Sequence, residues 1–432
     1  MFKKIFKKII IAIITFEAKL VLKKYKPKIV AITGSVGKTS TKEATVSVLG
    51  GAFYARGNKG SYNSEIGVPL TILGVKNGYF SLFAWIKNIT FGLFLILRTK
   101  NYPRILVLEF GADKPGDIEC LTNWIKPDVS VITALGDTPV HVEFFTGPEA
   151  LWAEKSKILK KLLSKDKAIL NFDDETVFTM KEKTEAEVIT FGLKEGADVR
   201  GLNYKIMLSE DGKIPQGITF KIKHKGTINP VRIYNGFGKQ QMYACLAAAA
   251  IGIVFELNMV KISEFLSFYK SPPGRLKFLR GIKDTYILDD TYNSSPIALH
   301  AALDTLRDLP GKRKIAVLGD MMELGKHTIS AHKEAGQAVA KICDLIFTVG
   351  LRAKFIKEGA LEAGFPKENI FEFGNSKEAG LELQNQIKKK DLILVKGSQS
   401  MRMERVVEEV MNDPQDKEKL LVRQDKFWIN KI

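Results

Sequence analysis

Short apolar runs alternate with helix-like stretches along most of the chain. The runs with the pattern of buried strands are Lys28–Thr33, Arg104–Phe110, Val129–Thr133, Ala168–Asn171, Tyr286–Asp289, Lys314–Leu318, Leu345–Val349 and Leu392–Lys396. This alternation predicts mostly parallel sheets with helices on both faces. Residues 185–235 differ, because short β-rich pieces around the Asp211-Gly212 turn predict an antiparallel patch.

The chain is punctuated once by Pro272-Pro273-Gly274, which we interpret as a domain boundary. Its 432 residues are enough for several buried cores. We therefore expect an α/β protein in three parts. These are an amphipathic helix over 1–28, a phosphate-loop domain with a mostly parallel sheet over 29–272, and a Rossmann-like α/β domain over 273–432.

The N-terminal stretch Phe2 to Lys24 is both basic and apolar. On a helix, one face holds Phe2, Ile5, Phe6, Ile9, Ile13, Phe16 and Leu20, and the lysines at 3, 4, 7, 8 and 19 fall largely off it. Its longest uncharged run, Ile9 to Phe16, is too short to span a bilayer, and no small-residue cleavage site follows. The pattern predicts a helix lying in a membrane interface, and the alternative is a helix packed on its own domain.

A second apolar segment, Tyr79–Leu97, forms an insertion in the predicted central domain. It has nearly the length of a membrane span, but Lys87 and Asn88 stand at its middle, where a charge is costly. Trp85 and several phenylalanines are typical of an interfacial helix. A helix buried in the protein is the equally open alternative.

The charge balance narrows the class of partner. Lys and Arg number 66 against 48 Asp and Glu, a formal net charge of +18, so an anionic partner is expected. Much of this excess lies in the N-terminal helix, which has no interleaved base-stacking aromatics, and we expect no nucleic acid partner. The three cysteines form no CxxC pair, which argues against a disulfide scaffold or zinc ribbon and favours a reducing cytoplasm.

The strongest local motif is TGSVGKT, which lies between a predicted strand and a predicted helix. It matches the short pattern TGxxGK(S/T), whereas the longer GxxxxGK(S/T) fails because Ile32 stands at its first glycine. The candidate ATP-binding residues here are Gly34, Ser35, Val36, Gly37, Lys38, Thr39 and Ser40. In such a loop Lys38 reaches the β- and γ-phosphates and the Thr39 hydroxyl binds Mg²⁺.

Three residues downstream suit a catalytic or metal site. Glu109 ends one apolar strand and His141 follows another, so both lie where open α/β sheets place their ligands. Lys155 lies on the next helix, although a lysine is not an ordinary Mg²⁺ ligand. Taken singly, each also has an ordinary structural explanation.

A series of segments in fixed order resembles the Mur ligase family, and within it the branch that adds D-alanyl-D-alanine. The segments are TGSVGKTSTKE, GNKGSYNSEIGVPLTIL, LEFGADKPGDIECL, PDVSVITALGDTPVHVEFF, PPGR, ILDDTYNSSP, VLGDMMELG and LVKGSQS. The resemblance covers roughly Ile29 to Glu409. It implies an ATP-dependent amide ligase of peptidoglycan synthesis, in which ATP phosphorylates a carboxylate and an amine then attacks the acyl phosphate.

The resemblance also assigns roles to residues of the predicted central domain. Lys38 would hold phosphate, Thr39 and Glu109 would hold one Mg²⁺, and Glu109 and His141 would hold a second. Lys155 matches the family lysine that CO₂ converts to a carbamate, which requires a locally lowered pKa.

Further roles fall on both domains. Those nearest the nucleotide are Arg275 at the phosphates, Asp290 at the ribose, and Tyr292 and Asn293 along the cleft. Asn63 and Ser64 would face the muramyl-peptide precursor, and Lys396 and Ser398 would approach the amine, D-Ala-D-Ala. We expect a monomer in the cytoplasm, peripheral on the inner face of the membrane.

Two departures from the family pattern affect specificity. The adenine segment, usually G-x-H-N-x-x-N, runs here from Gly238 to Ala244, so Gln241 can still offer an amide to adenine but the final Asn is replaced by Ala244. The phosphate loop follows only 32 residues, and we expect the chain to lack the family's N-terminal UDP-binding domain. An amide ligase acting on a polyglutamate-type acceptor and a non-catalytic Mur-like partner subunit therefore stay open as alternatives.

Overall fold

The strands of the protein form two sheets. The computed structural model describes residues 2–58, 60, 62–137, 139–212 and 214–429, without the side chains of 2–4 and 426, so the predicted positions of Phe2, Lys3 and Lys4 lie outside it. The strands are β1 (Lys28–Thr33), β2 (Ala55–Gly57), β3 (Ile105–Glu109), β4 (Val129–Ile132), β5 (Lys167–Asn171), β6 (Glu187–Gly192), β7 (Val199–Leu208), β8 (Pro215–His224), β9 (Thr227–Tyr234), β10 (Lys277–Gly281), β11 (Thr285–Asp290), β12 (Lys314–Gly319), β13 (Leu345–Val349), β14 (Ile370–Phe373) and β15 (Leu392–Lys396).

The α-helices lie between the strands and at both ends of the described chain. They are α1 (Phe2–Tyr25), α2 (Lys38–Gly50), α3 (Gly67–Leu73), α4 (Leu82–Leu97), α5 (Asp117–Thr122), α6 (Pro148–Ser156), α7 (Glu175–Thr179), α8 (Lys239–Val254), α9 (Met259–Ser267), α10 (Pro296–Asp308), α11 (Thr328–Ala340), α12 (Lys354–Glu362), α13 (Ser376–Gln386), α14 (Glu404–Val410), α15 (Lys417–Leu420) and α16 (Lys426–Ile429).

The first sheet has nine strands in the order β2-β3-β1-β4-β5-β6-β7-β8-β9. Pairing is parallel from β2 to β7 and antiparallel from β7 to β9, where the Asp211-Gly212 turn was predicted. The second sheet has the order β10-β11-β15-β12-β13-β14, and only β10 pairs antiparallel. The predicted α/β class is confirmed.

Three strands were not predicted, and all three are partly exposed. All three residues of β2 are half-buried. Strand β10 mixes half-buried, buried and exposed positions, and β14 is half-buried apart from one exposed position. Because each lies at an edge of its sheet, none needs the continuous apolar run that marks a strand buried on both faces. Parallel pairing places the ends of β1, β3 and β4 together, which positions the site described below.

Helix α1 packs on the protein, as the second of the two N-terminal hypotheses predicted. Ile10, Ile14, Ala18 and Val21 are buried, and the helix contacts α3 and α4. The face predicted to meet a membrane is left partly in solvent, with Phe16 62% exposed. Within the described residues, no helix has the length and apolarity that a bilayer crossing requires.

Helix α4 corresponds to the apolar insertion and is fixed at both ends. The Ser81 hydroxyl caps its start by accepting from Ala84 N at 3.2 Å, and Lys24 Nζ caps its end by donating to Ile96 O at 2.8 Å. The mid-helix Asn88 is buried and its Nδ2 donates to Lys76 O at 2.7 Å. Both apolar segments are thus integral parts of the fold.

Candidate active site

The phosphate loop joins β1 to α2 and depends on two glycines with positive φ. Gly34 has φ 145°, and a Cβ there would lie 2.0 Å from Thr133 Oγ1, so only glycine fits. Gly37 has φ 88° and precedes the first turn of α2, whose amides have no acceptor within the helix. The amides of Ser35 and Val36, which precede the helix, both donate to Ala134 O, at 2.7 and 3.2 Å. Within the part of the chain that the structure describes, the buried Ser35 Oγ has no hydrogen-bond partner, as a polar group prepared for a ligand would be.

Two lysines converge on the carbonyl of Gly34. Lys38 Nζ donates to Gly34 O at 2.8 Å and to Ser35 O at 3.2 Å. Lys155 Nζ, brought by α6, donates to Gly34 O at 3.1 Å and is 1% exposed. Burial, reinforced by the neighbouring Lys38 charge, lowers the pKa of Lys155 to about 7. Burial also lowers the pKa of Lys38. A substantial fraction of Lys155 is therefore a neutral amine near pH 7.

Glu109 lies at the end of β3, where it meets residues from two other elements. Its Oε2 accepts from Thr39 Oγ1 at 2.9 Å and its Oε1 accepts from Asn63 Nδ2 at 3.2 Å. A hydroxyl and a carboxylate at this distance are the oxygen donors that a magnesium ion takes beside phosphate oxygens, so these residues fit one Mg²⁺. The sequence-predicted pair Thr39 and Glu109 is brought together, and Asn63 joins it.

His141 has partners other than Glu109. Its Nδ1 lies 2.6 Å from Glu323 Oε2, which belongs to the predicted C-terminal domain, and its Nε2 lies 3.5 Å from Asp113 Oδ1. In the part of the chain that the structure describes, no group of three His, Cys, Asp or Glu side chains is arranged to hold a metal. The arrangement therefore fits one magnesium ion, and the second predicted ion has no assembled ligand set.

Arg275 reaches the site from beyond the Pro272-Pro273 break. Its guanidinium stacks on the Tyr292 ring at 4.0 Å, and its Nε is buried without a partner. Its positive charge contributes to the lowered pKa of Lys38, which places the two cations near one another. Two neighbouring cations, one of which has an unused N–H donor at Arg275 Nε, suit the negative charge of a triphosphate.

The other candidates of the C-terminal domain are held by one another. Lys396 Nζ donates to Asp290 Oδ2 at 2.5 Å and to Asn293 O at 2.9 Å, and the lysine is 2% exposed. Ser398 Oγ accepts from Met322 N at 2.8 Å, and Asn293 Oδ1 accepts from Ser294 N at 2.9 Å. Ser64 is exposed and its Oγ accepts from Gly67 N at 3.4 Å at the start of α3.

A cavity of about 340 Å³ opens beside the phosphate loop, between α8 and α10. Its lining includes Val36, Asn171, Asp173, Tyr204, Gln240, Tyr243, Ile297 and Thr305. Gln241 is directed away from it, because its Nε2 donates to Ser271 Oγ and Arg275 O, both at 2.9 Å, and its Oε1 accepts from Tyr269 at 2.6 Å. The Gln241 amide thus does not face this cavity, whereas Gln240 and Tyr243 line it, and the assignment of Gln241 to adenine stays a prediction.

Sequence reasoning missed three residues of the site. Lys42 is fully buried one turn after Lys38, and its Nζ donates to Asn58 O at 2.7 Å and Gly60 O at 2.6 Å, which holds the loop that carries Asn63. Asp113 and Glu323 are the partners of His141. All three stand inside the quoted motifs, but only the folded chain shows what they contact.

The fold and site define an ATP-dependent ligase built on a phosphate loop, with a second α/β domain that supplies an arginine. The family model of the Mur ligase middle domain matches residues 32–252, and that of the Mur ligase glutamate ligase domain matches 274–399. The chain belongs to the Mur ligase family.

Named relatives agree with this assignment. The UDP-N-acetylmuramoyl-tripeptide--D-alanyl-D-alanine ligases of Bacillus subtilis (strain 168) and Buchnera aphidicola subsp. Acyrthosiphon pisum are 29% and 30% identical to it, over 92% of this chain and 79% of each relative. A crystal structure of MurF from Acinetobacter baumannii superposes with a TM-score of 0.75 at 25% identity, covering 92% of this chain and 79% of that one. MurF from Thermotoga maritima, solved in complex with ADP, shares the fold with a TM-score of 0.73 at 24% identity, covering 93% and 83%.

Proposed function

We propose that the chain is an ADP-forming peptide ligase that adds D-alanyl-D-alanine to a muramyl tripeptide in peptidoglycan precursor synthesis. The observation that carries the proposal is the grouping of the half-buried Lys38 with the buried Glu109 and Lys155 at the edge of the first sheet. A ligase that works through an acyl phosphate needs a phosphate clamp, a metal-binding carboxylate and a further anion in one place. The names of the Bacillus and Buchnera relatives supply the substrates.

The reaction has two steps. The γ-phosphoryl group of ATP passes to a carboxylate oxygen of the acceptor, which gives ADP and an acyl phosphate. The amine nitrogen of the dipeptide then attacks the acyl carbon, the carbon–oxygen bond to phosphate breaks, and the amide forms as the nitrogen loses a proton. Such a site accelerates the reaction mainly by positioning the reactants and neutralising developing charge.

The phosphate clamp would be built from both domains. Lys38, the Ser35 hydroxyl and the amides at the start of α2 would hold the phosphates, and the unpartnered Arg275 Nε would approach them from the other side. The adenosine would enter the 340 Å³ cavity, where Tyr243 and Gln240 would contact the adenine ring. Asp290, Tyr292 and Asn293 stay proposed for the ribose and cleft, although Asp290 would have to share its carboxylate with Lys396.

Magnesium would bind between Thr39 and Glu109, where its charge would offset that of the transferred phosphoryl group. Binding there would replace the hydrogen bond between the hydroxyl and the carboxylate. The second ion that the family resemblance implies would need His141 to turn from Glu323 toward Glu109.

Lys155 is proposed to react with CO₂. Its neutral amine forms a nitrogen–carbon bond and loses a proton, so a buried cation becomes a carbamate anion. The pKa of about 7 leaves the amine partly neutral under ordinary conditions, which this step requires. The product would also place an anion, in place of a second ammonium, beside Lys38.

The two substrates would approach from opposite sides. Asn63 and Ser64 lie on the loop that Lys42 fastens, next to Glu109, and would face the acceptor carboxylate. Lys396 and Ser398 would border the amine side, and their buried partners indicate that they position neighbouring backbone. We further propose that the enzyme works as a monomer in the cytoplasm.

The test is ADP release by the purified full chain. UDP-linked and lipid-linked muramyl tripeptides are each supplied with and without D-Ala-D-Ala. We expect release only when acceptor and dipeptide are both present, and mass spectrometry should find the pentapeptide product. Release with free glutamate in place of the dipeptide would favour a polyglutamate-type ligase, and no release with any pair would favour a non-catalytic partner subunit.

A further inference from the structure

Helices α1 and α4 lie side by side and run in the same direction. Glu17 contacts Gly92, since a Cβ on that glycine would lie 2.3 Å from Glu17 Oε2. Seven residues further along α1, Lys24 Nζ donates to Leu95 O at 3.1 Å and to Ile96 O at 2.8 Å, near the end of α4. The C-terminal halves of the two helices therefore lie together and form a single surface element.

The solvent side of this pair is apolar. Both helices expose large apolar side chains to solvent, and those at the start and middle of α4 also border a groove formed with residues 74–77. We call this exposed surface the apolar face and define it by Ile9, Phe16, Phe83, Ile86, Phe94 and Leu97. Phe83 is 79% exposed and Leu97 is 76% exposed. So many exposed large apolar side chains on two packed helices are uncommon on a protein that meets only water, and they indicate an interaction surface.

The exposed charged side chains that α1 and α4 themselves carry have one sign. Exposed lysines lie on both helices or just after them, at Lys7, Lys8, Lys23, Lys87 and Lys100. The sequences Phe2–Tyr25 and Leu82–Leu97 contain one acidic residue, Glu17, and it is buried at the contact with α4. Two copies of the chain meeting through this face would bring like charges together, which is unfavourable. An anionic surface with an apolar interior complements it.

We propose that the apolar face docks on an anionic lipid bilayer. The aromatic and aliphatic side chains enter the boundary between headgroups and acyl chains, and the lysines meet lipid phosphates. The buried side of α1 packs on α3, which follows the loop that carries Asn63, so docking holds the Glu109 edge of the first sheet near the membrane. Docking is a property of the surface and does not depend on the substrates proposed above.

Co-sedimentation with vesicles tests the proposal on the full chain. One set of vesicles is pure phosphatidylcholine, and the other contains about 30 mol% phosphatidylglycerol. The variant F83S/F94S removes two exposed rings from the apolar face. The matched control is F268S, which removes a ring of similar exposure directly after α9. Nucleotide binding by each variant confirms that it is folded.

We expect wild type and F268S to bind the anionic vesicles, with weaker binding as salt is raised. F83S/F94S should bind about tenfold or more weakly, because two large apolar side chains no longer leave water. Equal binding by all three proteins, or no binding by any folded protein, would overturn the proposal. Equal binding to both kinds of vesicle would overturn its electrostatic part. A concentration-dependent dimer lost in F83S/F94S, without vesicle binding, would assign the face to self-association.

Discussion

The phosphate-loop edge of the first sheet and the motif residues of the second sheet are buried alike but differ in their partners. At the loop edge Ser35 Oγ and the incoming Arg275 Nε have none, and Lys155 has a single backbone carbonyl. In the second sheet Asp290 and Lys396 hold each other at 2.5 Å. A buried polar group without a partner is costly unless a ligand completes it, whereas the members of a buried pair satisfy each other, so that the cost appears only when one of them is removed. Motifs of equal clarity can therefore mark a ligand site or a structural brace.

The largest expected effect is at the loop edge. Lys155→Ala should lower turnover by about a thousandfold, because the site loses the group that becomes its carbamate anion. Short carboxylates such as formate should restore part of the activity by supplying oxygens in the same place. ADP release measures both effects. Lys157→Ala is the matched control on the same helix end, where the lysine is bound to Glu119 and Glu154, and it should keep near-normal turnover. Near-normal turnover of Lys155→Ala would refute the carbamate assignment.

In the second sheet the expected effect is on stability. Lys396→Met leaves Asp290 buried without its cation, which should lower the free energy of unfolding by about 3–5 kcal/mol. Urea unfolding measures this, and Lys28→Met, which breaks the exposed pair with Asp128, should cost less than about 1 kcal/mol. If Lys396→Met unfolds like the wild type but raises KM for the dipeptide, Lys396 is a substrate contact and the contrast between the two regions fails.

A buried carboxyl that has no ion pair among the described residues gives a third case. Glu17 is 2% exposed, neither of its oxygens has a hydrogen-bond partner, and burial raises its pKa from 4.5 to about 7. The folded state thus binds this proton more tightly than the unfolded state, so stability falls as pH rises from 4.5 to about 7. Glu17→Gln should remove that dependence on pH. Above about pH 7 the variant should have a free energy of unfolding about 1–3 kcal/mol higher than that of the wild type.

Urea unfolding at roughly pH 5 and roughly pH 8 checks this prediction. The exposed Glu65 supplies the control, because Glu65→Gln should leave the difference between the two pH values unchanged. A Glu17→Gln protein that keeps the wild-type pH dependence would show that another group is responsible.

The smallest expected effect concerns the contact between the two regions. Glu323 Oε2 of the C-terminal domain lies 2.6 Å from His141 Nδ1 of the central domain, and Gln241 Nε2 of the central domain donates to Arg275 O at 2.9 Å. A non-hydrolysable ATP analogue should draw the two domains together and lower the radius of gyration in small-angle scattering. Glu323→Gln should weaken this closure and raise KM for ATP by about fivefold, since one partly exposed polar contact between the domains loses its carboxylate. An unchanged radius with nucleotide bound would contradict closure.

Much of this architecture could be predicted because the relevant signals are local. The run Lys28–Thr33 forms β1 with the predicted bounds, since a strand buried on both faces must be apolar throughout. The glycines of the phosphate loop are equally readable, because Gly34 tolerates no side chain. The half-exposed edge strand β14 escaped prediction for the converse reason.

The sequence by itself determined the α/β class, the phosphate loop, the order of the motifs and the presence of two apolar helices, since each is written in neighbouring residues. Only the tertiary structure decided that Lys155 is buried against Gly34, that Gln241 serves Tyr269 and Arg275, and that Glu323 meets His141. It also decided that α1 buries Ile14 and leaves Phe16 in solvent. These outcomes depend on residues far apart in the chain, because burial and pairing are set by what packing brings together.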